Sequence, residues 1–199
     1  MNSWDEKYGA PGHYYGTEPN DFLRERCTAI PAGGRVLCLA EGEGRNAVFL
    51  AQQGFKVVAV DQSPVGLRKA EALARERGVG IDTVVADLAG YPIVPDHWDG
   101  IVSIWCHLPQ PLRATVHRHV VGGLRIGGAF LLEAYTPAQL RHGTGGPKSA
   151  DLLPTLAELR AELAGLDLVH AVEREREVHE GQGHFGLSAV VDIVAVRRR

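Results

Sequence analysis

The stretch "VLCLAEGEGRNAVFLA", residues 36–51, changes its pattern in the middle. An apolar run stops at Glu41, and Gly42 and Gly44 follow with a single residue between them. A helical pattern of apolar residues then runs from Gly44 to Gly54, so the stretch predicts a buried strand, a tight glycine turn and a helix. Ligands of open α/β sheets bind at strand ends of this kind. We therefore expect a ligand on this turn.

Short apolar runs alternate with longer amphipathic runs along the whole chain. Fully apolar strands that alternate with helices favour a parallel sheet covered by helices on both faces. No helix separates the last two strands, so they form a hairpin and one strand runs antiparallel. The predicted fold class is α/β, with a Rossmann-like, seven-stranded, mostly parallel sheet, an antiparallel last strand and helices on both faces. The predicted strands are 35–40, 56–61, 80–87, 98–105, 127–135, 166–178 and 187–198, and the predicted helices are 44–54, 63–78, 110–124 and 152–165.

The composition limits the classes of function. A chain of 199 residues, 45% hydrophobic and 23% charged, is typical of one globular, soluble domain. A net charge of −3 gives no support to a nucleic-acid or membrane partner, which favours a small-molecule substrate and leaves the oligomeric state open. Three cysteines without a CxxC motif indicate a reducing compartment. No signal-peptide pattern or apolar run of about 18 residues occurs, so we expect a cytoplasmic protein.

The next two predicted strands also end in acids. The pattern Gly42-x-Gly44-x-x-Ala47 by itself fits either a dinucleotide fingerprint or an ordinary tight turn. Asp61 ends the second strand 17 residues after Gly44, where a carboxylate can accept hydrogen bonds from both hydroxyls of a ribose. Asp87 ends the third strand and can accept from an adenine amine. Three such strand ends fit a ribose and an adenine without requiring a pyrophosphate.

These motifs resemble the class I S-adenosylmethionine-dependent methyltransferases, and most closely their tellurite-resistance/thiopurine-methyltransferase-like subgroup. The resemblance covers almost the whole chain. It implies a seven-stranded sheet with an antiparallel last strand, S-adenosyl-L-methionine as cofactor, and a single domain, 1–199, whose residues 1–30 form an N-terminal lid segment. The matching stretches are "WDEKYGAPGHYYGTEPNDFL" (4–23), the glycine motif at 36–51, "VVAVDQSPVGLRKA" (57–70), "ADL" (86–88), "WDGIVSIWCHLP" (98–109) and "GTGGP" (143–147).

The resemblance also implies a cofactor site that extends from the N-terminal lid segment to the end of the fourth predicted strand. The glycine motif departs from the subgroup's pattern, because Cys38 stands where an acid is usual and Ala40 where a glycine is usual. The resemblance implies that Glu41 makes some of the polar contacts that the missing acid would make near the methionine end of the cofactor. The predicted cofactor-binding residues are Tyr15, Asn20, Glu41, Gly42, Gly44, Arg45, Asp61, Gln62, Ser63, Ala86, Asp87, Leu88 and Trp105.

His107 is the predicted catalytic residue. It follows the fourth strand, beside the expected position of the methyl group, where it can serve as a general base or a substrate contact. The alternative is a loop histidine held by a backbone hydrogen bond. His179, Glu180 and His184 fall in the predicted hairpin turn, but their spacing fits no standard metal site, so we expect no metal.

The sequence therefore predicts an S-adenosylmethionine-dependent methyltransferase that acts on a small-molecule nucleophile, for example a thiol or a metalloid oxyanion such as tellurite. Two alternatives stay open. One is an NAD(P)-dependent oxidoreductase, supported by the glycine pattern and Asp61. The other is a non-catalytic nucleotide-binding protein. The chain contains no Walker A motif, no H-E-x-x-H and no Tyr-x-x-x-Lys pair.

Overall fold

A seven-stranded sheet forms the centre of the computed structural model, which describes residues 3–198. The strand order is β3-β2-β1-β4-β5-β7-β6. Neighbours from β3 to β5 pair in parallel, whereas β7 is antiparallel to both β5 and β6. The predicted fold class, including the antiparallel last strand, is confirmed. The strands are β1 Arg35–Leu39, β2 Lys56–Asp61, β3 Asp82–Val85, β4 Trp98–Ile104, β5 Leu124–Tyr135, β6 Asp167–Glu180 and β7 His184–Val196.

Six α-helices accompany the sheet in the described part of the chain. The Ser63 side chain accepts a hydrogen bond from Gly66 N at the start of α4, and Pro64 occupies its first turn. The Thr155 side chain begins α6 with a capping box that includes Glu158. The helices are α1 Ser3–Tyr8, α2 Asp21–Arg26, α3 Arg45–Gln52, α4 Pro64–Glu76, α5 Gln110–Gly123 and α6 Leu156–Glu162.

Several element bounds differ from the predictions, and β3 ends at Val85, so the prediction that Asp87 ends this strand is wrong. Helix α6 covers only Leu156–Glu162, because residues 150–152 form a separate 3₁₀ turn and Leu153 is extended. The closing hairpin is longer than predicted, since strand pairing continues up to the Glu180–His184 pair. His179 and Glu180 therefore lie in β6 and His184 begins β7, so the prediction that they lie in the turn is wrong. Ladder hydrogen bonds outweigh the turn-like composition of this segment.

Alternate strand residues face two separate cores. Val36 and Cys38 of β1 belong to the core beneath α2 and α3, whereas Leu37 and Leu39 belong to the core beneath α5 and α6. This period of two, with both faces buried, explains why the strands read as continuous apolar runs. The carboxyl ends of β1 and β4 lie side by side where the strand order reverses, and such a point is the usual ligand site of an open α/β sheet.

Candidate cofactor and acceptor site

A cavity of about 900 Å³ opens at the carboxyl ends of β1, β2, β3 and β4. Its volume is within the range of small-molecule sites. The N-terminal segment, the loop 143–148 and the tip of the β6–β7 hairpin complete its wall. Ten predicted site residues line it: Tyr15, Glu41, Arg45, Asp61, Gln62, Ala86, Asp87, Leu88, Trp105 and His107. Four others, Asn20, Gly42, Gly44 and Ser63, lie outside the wall that the cavity residues define.

The two glycines of the turn allow helices to approach closely. Gly42 and Gly44 have φ angles of 63° and 90°, which favour glycine. A Cβ atom on Gly42 would lie 2.6 Å from the Tyr8 hydroxyl, and one on Gly44 would lie 2.4 Å from the Ala70 Cβ. The glycines thus admit α1 and α4 against the turn. A cofactor role for their backbone stays a prediction.

Glu41 turns back onto the start of α3. Its Oε1 accepts hydrogen bonds from Asn46 N at 3.0 Å and Ala47 N at 2.8 Å. Burial raises its pKa to about 7, although these bonds and the nearby Arg45 charge oppose the rise. The N-terminus of α3 therefore already holds a carboxylate of the chain itself, which satisfies two otherwise free N–H groups.

Ala40 occupies a conformation that suits glycine. Its φ angle is 50°, in the left-handed region, which costs an L-residue with a Cβ atom roughly 1–2 kcal/mol. We expect Ala40→Gly to stabilise the protein by a few tenths to about 1 kcal/mol, after the greater flexibility of glycine in the unfolded chain is subtracted. Thermal denaturation should show a rise of about 2–4 °C at most. The control is Ala72→Gly on the exposed face of α4, which should lower the melting temperature. Equal losses in both variants would contradict strain at Ala40.

Asp61 is 6% exposed and bridges the glycine turn and α4. Its Oδ2 accepts from Gly42 N at 2.9 Å and its Oδ1 from Ser63 N at 2.8 Å. Burial raises its pKa, while these two bonds lower it, and the net shift is upward. A carboxylate has about four lone-pair positions, so Asp61 keeps acceptor capacity for a ligand's hydroxyl group. Ser63 itself is fully buried and donates to Asp5 Oδ1 at 2.6 Å.

Asp87 is exposed and lies in the loop that follows the end of β3 at Val85. Its Oδ1 accepts from Ala89 N at 2.9 Å, and the carboxylate borders the cavity together with Ala86 and Leu88. This arrangement combines an acceptor with apolar flanks and is compatible with a planar ring that carries an amine. The described residues that line this half of the cavity therefore fit the ribose and adenine expected from the sequence.

Four aromatic rings line the opposite half of the cavity, which we call the acceptor chamber: Tyr15, Trp105, His107 and His184. The fully buried Tyr135 ring packs behind them. The Trp105 and Tyr135 ring centroids are 4.3 Å apart, and those of Tyr15 and His184 are 4.7 Å apart, both pairs stacked. The Tyr135 hydroxyl and His184 Nδ1 are 2.7 Å apart. Burial lowers the pKa of His184 to about 3, so the imidazole is neutral at pH 7.

His107 presents an unpaired ring nitrogen in this chamber. Its Nδ1 lies 3.2 Å from the Leu152 carbonyl oxygen, which can only accept, so Nδ1 carries the proton. Nε2 is then a free acceptor, and it is buried without a hydrogen-bond partner among residues 3–198. Burial lowers the pKa of His107 to about 4, which keeps the ring neutral. The structure shows the backbone hydrogen bond that the sequence offered as the alternative for His107, and a catalytic or substrate-binding role for the residue stays a prediction.

Asn20 and Arg45 belong to a buried polar network. Asn20 is fully buried, caps α2, and donates to Glu133 and, at 2.8 Å, to Glu180 Oε1. Arg45 pairs with Glu180 Oε2, so its charge is balanced inside the protein. Arg176 donates two hydrogen bonds to Glu133, at 2.8 and 2.9 Å. Sequence reasoning missed Glu133, although an acid within the apolar strand "AFLLEAY" is a sign that it has a buried partner.

No group of three or more histidine, cysteine or acidic residues in the part of the chain that the structure describes could hold a metal ion. No helix in residues 3–198 is both long and apolar enough to span a bilayer. Residues 1 and 2 of the predicted lid segment, 1–30, lie outside the described range.

Comparison with known proteins connects this geometry to a class. Residues 36–128 match a family model described as "Methyltransferase domain". An uncharacterized protein of Mycobacterium tuberculosis is 26% identical over 107 residues, which are 54% of this chain and 39% of that protein. The matched segment therefore spans less than half of that relative's length.

Solved structures show the same fold at low sequence identity. TehB from Haemophilus influenzae is 18% identical with a TM-score of 0.71, and the match covers 89% of this chain and 61% of that one. A SAM-dependent methyltransferase from Methanosarcina mazei is 16% identical with a TM-score of 0.70, covering 92% of this chain and all of the other.

The fold is that of the class I S-adenosylmethionine-dependent methyltransferases. Residues 36–128 match a methyltransferase domain, and S-adenosyl-L-methionine is the cofactor of the methyltransferases that share this fold. The class and the cofactor predicted from the sequence are confirmed. The domain match does not support the oxidoreductase alternative.

Proposed function

We propose that the whole protein is an enzyme that transfers a methyl group from S-adenosyl-L-methionine to a small-molecule nucleophile. The observation that carries this proposal is that one cavity is lined both by the carboxylates Asp61 and Asp87 and by His107, whose buried Nε2 has no hydrogen-bond partner among the described residues. A purely nucleotide-binding protein has no need for a second, aromatic chamber with a free buried base.

The cofactor half of the cavity is assigned to residues at three strand ends. Asp61 holds the ribose hydroxyls, Asp87 accepts from the adenine amine, and Ala86 and Leu88 pack on the ring faces. When bound, S-adenosyl-L-methionine supplies an electrophilic methyl group on a sulfonium, so the protein's main contributions are binding, orientation and exclusion of water. The Tyr15 ring and the hairpin tip cover the site. The single domain, 1–199, and the lid role of residues 1–30 are part of this proposal.

The acceptor half is assigned to His107. Its Nε2 accepts a hydrogen bond from the X–H group of the nucleophile, orients the lone pair of that nucleophile, and takes the proton when X–H ionises. A neutral imidazole suits a neutral acceptor with an acidic proton, which favours a thiol over a metalloid oxyanion. Lys7 and Lys148 on the wall leave the oxyanion as the second class to test. We propose no nucleic-acid or membrane partner, and a cytoplasmic location consistent with three free cysteines.

The first test is cofactor choice. We expect S-adenosyl-L-methionine and its demethylated product to bind with dissociation constants on the order of micromolar, equivalent to ~−8 kcal/mol, and NADH to bind far more weakly. Isothermal titration calorimetry measures all three. Tight NADH binding without binding of either methyl-cycle compound would overturn the proposal.

The second measurement identifies the acceptor class. Release of S-adenosylhomocysteine should be followed with panels of small thiols, phenols, amines and metalloid oxyanions, with and without protein. We expect thiols to give the highest kcat/KM. Cofactor binding without turnover on any panel would favour the nucleotide-binding alternative.

A further inference from the structure

The last residue of β6, Glu180, joins three distant parts of the chain. One carboxylate oxygen accepts from Asn20 Nδ2 at 2.8 Å, and the other accepts from Trp105 Nε1 at 2.6 Å and from the Arg45 guanidinium. These donors belong to the start of α2, the end of β4 and the start of α3. Glu180 therefore connects the tip of the closing hairpin to both halves of the cavity.

The carboxylate is held in its charged form. The Arg45 and Glu180 side chains are only 8% and 4% exposed. Burial acts to raise the pKa of Glu180, but the Arg45 charge and the hydrogen bonds from Arg45 and Trp105 outweigh it and hold the pKa below its usual range. Removing one partner of a buried ion pair leaves an uncompensated charge, so this contact constrains the geometry strongly.

Trp105 needs such a constraint because its backbone is strained. Its φ angle of 56° is unusual for a bulky residue and marks a site that the surroundings must hold in place. The indole stacks on Tyr135, and its centroid lies 5.0 Å from that of His184. The indole N–H is the one polar group of this side chain, and Glu180 is its acceptor.

We propose that Glu180 is a positioning residue that fixes the Trp105 indole as a wall of the acceptor chamber and ties that wall to Arg45 beside the glycine turn. This inference rests on the proposed function, since it assigns the chamber to the methyl acceptor. Glu180 acts through Trp105 and does not touch the nucleophile. Its loss should therefore affect acceptor binding through the indole.

The test combines a spectroscopic and a kinetic measurement. The chain contains three tryptophans, so ¹⁵N-labelled protein should show three indole N–H resonances, and Trp105→Phe assigns the Trp105 signal. In Glu180→Gln we expect this signal to move upfield and to exchange faster with water. The matched control is Glu177→Gln, the same change at an exposed position of β6, which should leave the signal in place. An unchanged Trp105 signal in Glu180→Gln would overturn the proposal.

The kinetic measurement separates positioning from general damage. We expect Glu180→Gln and Trp105→Phe each to raise the acceptor KM about 10- to 100-fold, with a smaller change in kcat. The double variant should be no worse than Glu180→Gln alone, because both changes break one contact. If the increase in KM of the double variant equals the product of the two single increases, Glu180 does not act through Trp105. If Glu180→Gln does not fold, Trp105→Phe still tests the proposal, because it removes the indole N–H and keeps the other contacts of Glu180. An unchanged acceptor KM in Trp105→Phe would contradict the proposal.

The two proposals fail in different ways. If the unmodified protein turns over no acceptor, the proposed function fails, while the indole resonance still reports whether Glu180 holds Trp105. If turnover is normal and the resonance is insensitive to Glu180, only the positioning role is wrong.

Discussion

Replacing Asp61 with alanine is expected to weaken S-adenosyl-L-methionine binding by roughly thirtyfold to a thousandfold. The loss of two charge-assisted hydrogen bonds to a ribose costs ~2–4 kcal/mol after partial replacement by water. Calorimetric titration of the purified variant measures the effect. Asp61→Asn, which keeps one oxygen as acceptor, should lie between the alanine variant and the unmodified protein.

The comparison variant is Glu41→Ala. Glu41 bonds to Asn46 N and Ala47 N, so its loss should destabilise the start of α3 by about 0.5–2 kcal/mol and have a smaller effect on cofactor affinity. Circular dichroism and thermal denaturation must accompany both titrations, because Asp61 also accepts from Gly42 N and Ser63 N. If Glu41→Ala is folded and yet binds the cofactor more weakly than Asp61→Ala, the ribose assignment is wrong or secondary.

His107→Ala is expected to lower kcat about 100-fold while changing cofactor affinity by less than about threefold. The magnitude lies at the low end for general-base residues, because a base with a pKa of about 4 removes protons weakly at neutral pH. Single-turnover kinetics and cofactor titration measure the two effects separately. His119→Ala, an exposed histidine of α5, is the matched control and should leave both unchanged. If His107→Ala loses cofactor affinity and turnover equally, or loses neither, the role of His107 is structural.

The low pKa of His107 also fixes the direction of its pH dependence. The imidazole stays neutral down to about pH 4, so kcat/KM should fall only near that value, and His107→Ala should lack this acid limb. The unfolded chain, with a pKa of about 6.5, binds the proton more tightly than the folded one. Stability from this residue is therefore complete above pH ~6.5 and declines as the pH falls toward ~4. Denaturant titrations from pH 4 to 8 would measure the decline.

The sequence alone determined the class of fold and the positions of the strand-end acids. Apolar periodicity reports local burial, so β2 was predicted with its observed bounds. The absence of a helix between the last two strands predicted the hairpin. Asp61 ends β2 as predicted, and Asp87 lies in the loop just after β3. The N-cap contact of Ser63 is also local, because its hydrogen bond joins residues three apart in sequence. These features depend on neighbours along the chain, which a single sequence displays.

Only the tertiary structure decided which side chains meet across the cavity. Glu180 bonds to Asn20 over 160 residues and to Arg45 over 135, and both contacts depend on the register of β6 with β7 and on the packing of the N-terminal segment. The same is true of Gly42, whose missing Cβ makes room for Tyr8. Sequence patterns record that a residue is buried. The identity of its partner is set by strand register and helix packing, which no local period encodes.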